Sequence, residues 1–317
     1  MKRIGNLFKN ICDIDNLLLA DTKARKGKRN TRGVLKHDKV QDINILKIHE
    51  SLVNKTYKTS KYSTFKIFEP KERIISSLPY YPDRIVHHAI INVLEPILVS
   101  MFTVDTFSCI KGRGIHGAAN AVKLALKDVS NTKYCLKLDI KKFYPSINHD
   151  ILKTIIRRKF KDKDLLWLLD EIIDSTDGIP IGNYTSQYFA NLYLTYFDHW
   201  IKEVLGVKYY FRYADDIVIF SFCKKQLHEI LAKIREYLDQ KLALIIKENY
   251  QIFLVAARGV DFVGYVFFHT HTLLRKSIKQ AFARMLKKRR CQQSIAAYHG
   301  WLIHCNGKHL VKKLNYM

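Results

Sequence analysis

Relative to their opposites, acidic residues are what this chain has least of. Its 317 residues carry 29 Asp and Glu against 54 Lys and Arg, a formal charge of +25. An excess of that size excludes an ordinary balanced surface and predicts a polyanionic partner, nucleic acid first and an anionic membrane second. Cysteine is sparse as well. Cys12, Cys109, Cys135, Cys223, Cys291 and Cys305 are scattered without a close pair, which argues against a zinc site and for reduced thiols in a cytoplasm. No apolar run approaches the roughly 20 residues that span a bilayer. The basic start Met1-Lys2-Arg3 has no long apolar stretch after it, so a signal peptide is not expected. Internal repeats and low-complexity tracts are also missing. What is present is a chain that is 48% hydrophobic, long enough for one large domain or two or three subdomains.

Its most telling stretch is Phe211-Arg212-Tyr213-Ala214-Asp215-Asp216-Ile217-Val218-Ile219-Phe220. Aromatic and β-branched flanks predict strands over 209–213 and 217–222, with the two acids at the tight turn of a hairpin. A turn acid is usually solvated punctuation. Here the flanks are apolar enough to hold the turn on a buried sheet. Adjacent carboxylates repel unless a cation lies between or beside them, and hard divalent cations take carboxylate oxygens. Another acid, Asp139, ends the predicted strand 134–140, whose period-2 spacing puts Tyr134, Leu136 and Leu138 on the opposite face. Such an acid is normally a turn former and becomes a metal ligand only if the Asp215-Asp216 hairpin lies alongside. The predicted order is strand 134–140, a helix capped by Asn148, two strands at 208–222, a helix over 227–238 and a strand over 242–247. That is βαββαβ, the ferredoxin-like arrangement, which sets its first strand beside the central hairpin.

The remainder is basic and loop-punctuated. Residues 1 to about 60 read as mostly helical, with Asp15-Asn16 as a candidate cap. Thr22 to Gly33 reads either as an arm on phosphate backbone or as a solvated linker. A hairpin over 62–76 turns at 69–72 and puts Arg73 on its outgoing strand. Asp83 is a candidate N-cap for a helix from residue 84. Lys111 to Gly117 is either a flexible loop or a set of amides and Arg113 that meets a phosphate at a helix start. Gly178 to Gln187 is a turn-rich lead into a long apolar-faced helix, and Gly182 there allows close backbone approach to a ligand. Lys276 to Arg290 reads as an amphipathic helix whose polar face suits a duplex, and the helical pattern continues from Ser294 with Trp301 in the core.

In chain order, Lys71-Glu72-Arg73, Asp139 to Ile147, Gly182 to Gln187, Tyr213-Ala214-Asp215-Asp216, Lys247 and Phe262 to Tyr265 resemble the motifs of reverse transcriptases. The resemblance covers roughly residues 60–317. Ile181 to Gln187 and Gln251 to Tyr265 are similar to the diversity-generating retroelement subgroup; most relatives carry Gln before this glycine and Pro after this serine. The resemblance implies an α+β right-hand polymerase with a ferredoxin-like βαββαβ palm, fingers and a short helical thumb. Its parts would be a basic N-terminal extension (1–60), fingers (61–131), a palm with part of the fingers inserted (132–260), and primer grip and thumb (261–317).

The same resemblance implies RNA-directed DNA synthesis from dNTPs by two-metal nucleotidyl transfer, with Mg2+ or Mn2+. Asp139, Ile140, Asp215 and Asp216 form the implied metal set, and Lys247 the group that protonates the leaving pyrophosphate. Lys71, Arg73, Tyr144, Ile181, Gly182 and Gln187 would meet the nucleotide, Tyr144 as the gate against a ribose 2′-hydroxyl. Arg113, Gly264, Lys287, Lys288, Arg289 and Arg290 would meet primer and template. The implied partners are template RNA, primer or cDNA and a small basic accessory protein, with no membrane, for a bacterial or phage-encoded protein of the cytoplasm. Ile181 in place of glutamine implies error-prone copying opposite template adenine. No maturase, RNase H or endonuclease segment is expected after the thumb. Two other readings stand beside this one: a bacterial reverse transcriptase of retron or phage-defence type, and an RNA-binding scaffold with a vestigial polymerase. The three intact acids weigh against the scaffold.

Overall fold

The computed structural model describes residues 3–68, 72–288 and 291–313. Four helices open the chain: α1 (Phe8–Cys12), α2 (Ile14–Ala24), α3 (Arg32–Asp38) and α4 (Gln41–Val53). The hairpin β1 (Ser63–Ile67) and β2 (Arg73–Ser77) precedes α5 (Ile85–Met101), α6 (Gly114–Ala125) and β3 (Tyr134–Asp139). Then come α7 (His149–Lys159), α8 (Lys163–Ile173), α9 (Tyr184–Tyr193), α10 (Thr195–His199), β4 (Tyr209–Tyr213) and β5 (Asp216–Ser221). The chain continues through α11 (Lys224–Leu242), β6 (Gln251–Leu254), α12 (Val255–Arg258), β7 (Val260–Phe262), β8 (Tyr265–Phe267) and β9 (Thr272–Leu274). It closes with α13 (Lys276–Lys288), α14 (Gln292–Leu302) and α15 (Lys308–Lys313). Two compact units result. One takes the residues up to Phe102, Lys142–Tyr196 and Leu242–Leu244; the other takes Thr103–Lys141, Phe197–Lys241 and the residues from Ile245 on.

The first unit is built on α5, whose Ile85, Val86, Ala89, Ile90, Leu94 and Leu98 are almost wholly buried. By length and composition the helical segment Tyr80–Met101 is apolar enough to cross a bilayer, contrary to the expectation from its sequence, where polar residues interrupt the apolar run; about half of its apolar stretch is buried inside the protein. Asp83 is not the cap expected of it. It is buried in the irregular turn Tyr80–Arg84 and accepts from the Tyr57 hydroxyl (2.8 Å) and the Ser60 amide (3.0 Å), while α5 has no side-chain cap. Asp13, not Asp15-Asn16, caps α2. Asn148 does cap α7, accepting from the Ile151 amide at 3.1 Å. The basic arm is shorter than its composition suggests, because α2 extends to Ala24 and Arg25 is paired with Asp21 and Asp38.

The second unit carries a four-stranded antiparallel sheet in the order β4-β5-β3-β6. Counted within βαββαβ, the first strand lies between the third and the fourth, as a ferredoxin-like sheet requires. The last strand is not over 242–247. The apolar stripe Leu227, Ile230, Leu231, Ile234, Leu238 carries on four residues to the buried Leu242, so α11 continues through it. Residues 243–250 are loop, touching β3's end through one isolated bridge, Ile140↔Ile246, and β6 pairs with β3 instead.

Register fixes which side chains share a face. Cys135 stands opposite Phe220, Lys137 opposite Val218, and Asp139 opposite Asp216. Cys135, Val218, Phe220 and Phe211 join Val122 of α6, Phe262, Tyr265 and Phe267 of the small sheet β7-β8-β9, and Phe282 of α13 in one buried cluster. Trp301 is partly buried against it. The acids therefore sit at the end of the sheet face that this cluster covers.

Candidate active site

Asp139 ends β3 and faces Asp216, which starts β5; the pair Tyr213↔Asp216 closes the hairpin around Ala214 and Asp215. The two acids are thus not both turn residues: Asp215 is in the turn and Asp216 is in the strand. Ala214 holds a left-handed φ of +55°, which costs a non-glycine residue about 1–2 kcal/mol. Arg212 secures it, with Nη1 donating to the Ala214 carbonyl at 3.0 Å. Arg212 is itself wholly buried and paired with Asp198 through Nε (2.8 Å) and Nη2 (2.5 Å). The hydroxyls of Tyr210 (2.6 Å) and Thr106 (3.0 Å) donate to the same carboxylate. The strained turn stands on a satisfied, dehydrated ion pair.

Charge around the acids is arranged unevenly. Lys247 Nζ pairs with Asp139 Oδ1, and the Lys247 amide donates to the Asp139 carbonyl at 2.9 Å. Lys137 Nζ stands 3.7 Å from Asp216 Oδ2. Burial, and then the charge of Asp139, push the Asp215 carboxyl above its usual range, with Lys247 opposing. Burial likewise pushes Asp216 up to about 6, opposed chiefly by Lys137 and reinforced by Asp139 and Asp215. Asp216 Oδ1 is buried and has no hydrogen-bond partner among the described residues. Carboxylates short of positive charge, with an orphaned oxygen, suit a divalent cation by donor chemistry. Among the described residues no three His, Cys, Asp or Glu side chains are already closed into a metal cage; Asp139 is turned onto Lys247. Ile140 is wholly buried and its side chain has no donor atom, so only its main-chain carbonyl can serve.

In the same unit, Gly264 links β7 and β8 at φ +89°, where a Cβ would collide with the Trp301 ring and crowd Ile278. Its carbonyl accepts from the Arg275 amide at 2.9 Å. Arg113 is engaged within its own unit. Its Nη1 donates to the carbonyls of Thr103 (2.6 Å) and Thr106 (3.0 Å), which makes it a clamp on the loop before α6. Lys287 is exposed on α13 and Lys288 ends that helix; Arg289, Arg290 and, in the other unit, Lys71 lie outside the described residues.

The first unit holds the remaining residues that the resemblance assigns to the nucleotide. Tyr144 is half-buried in the turn Tyr144–Ser146, its carbonyl accepting from the Ile179 amide at 3.0 Å. Arg73 is exposed at the start of β2. Ile181 offers its carbonyl to the Ser76 amide of β2 at 2.8 Å, and a Cβ on Gly182, at φ +132°, would overlap the Ser76 carbonyl. The glycine thus answers to β2, an internal neighbour, where the sequence pointed to a ligand. Gly182 and Gln187 also line a cavity of about 240 Å³ together with Lys23, Lys26, Lys28, Arg84, His87 and His88, and no acid is among the described residues of its lining. Burial holds His87 down to about 3 and His88 down to about 4, with nearby cations adding to both. The sequence does not disclose this cavity, because its walls come from four separate segments. Nor was Arg212 singled out from the sequence, though an arginine inside an apolar strand is itself a signal of a buried pair.

A family model described as reverse transcriptase (RNA-dependent DNA polymerase) matches residues 58–267. The group II intron-encoded protein LtrA of Lactococcus lactis is 23% identical over 190 residues, covering 55% of this chain and 31% of that protein. The retron Ec73 reverse transcriptase of Escherichia coli is 32% identical over 127 residues, 36% of this chain and 39% of that one. The chain therefore spans well under half the length of these curated relatives. Among solved structures, telomerase from Candida albicans in complex with a fragment of telomeric RNA aligns with a TM-score of 0.51 at 10% identity, over 76% of this chain and 54% of that one. Apo telomerase from Candida tropicalis gives 0.50 at 14% identity, over 67% and 48%. These structural matches speak to the fold alone. With its family model covering more than half of its length, and with that fold, the chain belongs to the reverse transcriptase family.

Proposed function

We propose that the protein is an RNA-directed DNA polymerase and that Asp139, Asp215 and Asp216 carry nucleotidyl transfer. The observation that supports this most is the convergence of the three carboxylates: Asp139 opposite Asp216, with Asp215 in a strained turn anchored by Arg212. Asp139 and Asp215, with Asp216 in support, would hold divalent cations, which when bound would supply activation of the primer 3′-hydroxyl and stabilisation of the leaving pyrophosphate. Lys247, on Asp139, carries the proton for that pyrophosphate. The Val263–Gly264 turn receives the primer end, and the Tyr144 ring fills the space of a ribose 2′-hydroxyl. Lys71, Arg73 and Gln187 meet the incoming nucleotide. The acid-free cavity of Lys23, Lys26, Lys28 and Arg84, together with the exposed face of α13, takes strand phosphates. In this reading residues 61–131 act as fingers, 132–260 as a palm with an insertion, and 261–317 as primer grip and thumb.

Within the family we favour the diversity-generating type, supported by Ile181-Gly182-Asn183-Tyr184-Thr185-Ser186-Gln187. An apolar side chain where relatives place a hydrogen-bonding glutamine discriminates misfits by only about 1–3 kcal/mol. The similarity to the retron enzyme favours the second reading, a retron-type polymerase. Copying a primed RNA of known sequence with dNTPs and sequencing the cDNA separates them. The expected product is templated cDNA with errors concentrated opposite adenine, reduced in Ile181→Gln. Accurate cDNA would favour the retron-type reading, and RNA binding with no extension would leave the scaffold.

A further inference from the structure

Lys137 lies two residues before Asp139 on β3, so the strand's period places both on one face. Its neighbours on that face are Cys135 and, across the ladder, Val218, both in the buried cluster. Keeping an ammonium group at the margin of an apolar cluster carries a dehydration cost that an aliphatic residue would not incur. Its contacts show what it does there. Lys137 Nζ donates to the carbonyl of Asp261 on β7 and stands 3.7 Å from Asp216 Oδ2. The Asp261 carboxylate takes Arg275 through Nε (2.6 Å) and Nη2 (2.5 Å). The Arg275 amide in turn donates to the Gly264 carbonyl at 2.9 Å. A polar path therefore runs Asp216, Lys137, Asp261, Arg275, Gly264, joining the acid hairpin to the β7–β8 turn and the start of α13.

We propose that Lys137 is a positioning residue for nucleotidyl transfer: it fixes the Asp216 carboxylate and keeps the acid hairpin in register with the Gly264 turn. This rests on the reading of the acids as the catalytic centre and of that turn as the primer site. Lysine suits the task, because its three donors on a flexible stem can hold a carboxylate and a carbonyl together. As a cation beside Asp216 it also competes with any metal ion for that oxygen. Loss of the lysine therefore has two opposed effects, slower chemistry and easier cation binding, which a residue that merely packs would not produce.

The test compares Lys137→Met, which keeps the stem, with Lys137→Arg, which keeps the charge, in single-nucleotide extension of a primed RNA. Mn2+ affinity of the free protein is measured in parallel by electron paramagnetic resonance. In Lys137→Met we expect kcat to fall about 10- to 100-fold, as misplacement of reacting groups does. KM for dNTP should stay within about threefold and Mn2+ should bind at least as tightly as in wild type. Lys137→Arg should recover most of the loss in kcat. Arg275→Met breaks the same path at its link to the Asp261 carboxylate while keeping the main-chain bond to Gly264, so the double variant should be no slower than the slower single one. A kcat for Lys137→Met within twofold of wild type would overturn the proposal, as would Mn2+ affinity falling together with kcat. If Lys137→Met does not fold, the Lys137→Arg and Arg275→Met arms decide, with unchanged kcat in Arg275→Met counting against. Asp139→Asn and Asp215→Asn are run alongside. If they extend normally, the reading of the acids has failed; if they are inactive while Lys137→Met is normal, only the role of Lys137 has.

Discussion

Asp198 and Arg212 are both fully shielded from water and answer each other's charge. Removing one member of such a pair strands the other, at about 3–5 kcal/mol. Asp198→Asn should therefore lower the unfolding free energy by about that much in urea titrations; a loss below about 1 kcal/mol would show that the Ala214 turn is held some other way. Asp215→Asn should act oppositely, since it relieves repulsion with Asp139 and leaves stability equal or higher. His87 gives the pH dependence. Burial holds it down to about 3 from an ordinary 6.5, so as pH falls below 6.5 the unfolded chain takes up a proton that the folded chain refuses. Stability is then lost progressively across the window from about 6.5 to about 3, by about 2 kcal/mol at pH 5. His87→Leu should make that slope shallower, with part of it kept by His88, which burial also holds down; an unchanged slope would place the titrating group elsewhere. At this scale the meeting of Asp139 with the Asp215-Asp216 hairpin was legible in the sequence, because the strand order places them side by side, whereas Lys247 came only with the family resemblance. The clamp that Arg113 makes on the loop before α6 was not readable, since nothing local discloses that two carbonyls accept from it. Lys137 went unnoticed because Asp261, its partner, lies 124 positions away.

Among the elements, strands β3, β4 and β5 were readable because their apolar alternation is strong and their turn is short. The fourth strand was misplaced by about one helical turn and a loop. Leu242, Leu244 and Ile246 alternate like a strand, yet Leu242 also continues the stripe of α11, and helix periodicity prevailed. The Gly182 loop was recognised as tight but assigned to a ligand, because only the structure shows the Ser76 carbonyl against it. Helix α13 was read correctly as amphipathic: Phe282 is buried, while Lys276, Arg284 and Lys287 are exposed. Their spacing of eight and three residues puts these three cations on one face. Replacing them together with glutamine should lower the slope of log affinity against log salt for an RNA–DNA hybrid by about 2 to 3, near one for each phosphate that is no longer neutralised. A slope equal to wild type would assign the phosphate track to the Lys23–Lys28 cavity instead.

At the scale of the whole molecule, the charge of +25 predicts a polyanionic partner, and membership of the reverse transcriptase family gives the chain a polymerase fold. What composition and fold leave open is whether this chain performs the chemistry, since a basic scaffold could share both. The acids discriminate, because removing a carboxylate leaves the phosphate-binding cations untouched. The most direct test measures two quantities on the same protein: extension of a DNA primer on an RNA template with dNTPs and Mg2+, and RNA affinity by fluorescence anisotropy. We predict that wild type extends, and that Asp139→Asn and Asp215→Asn lose extension by a factor of about 10³ or more, as expected when charge-stabilising groups are removed. Their RNA affinity should remain within twofold of wild type. Extension at wild-type rate by either variant, or none by wild type itself, would contradict the assignment of polymerase chemistry to Asp139, Asp215 and Asp216.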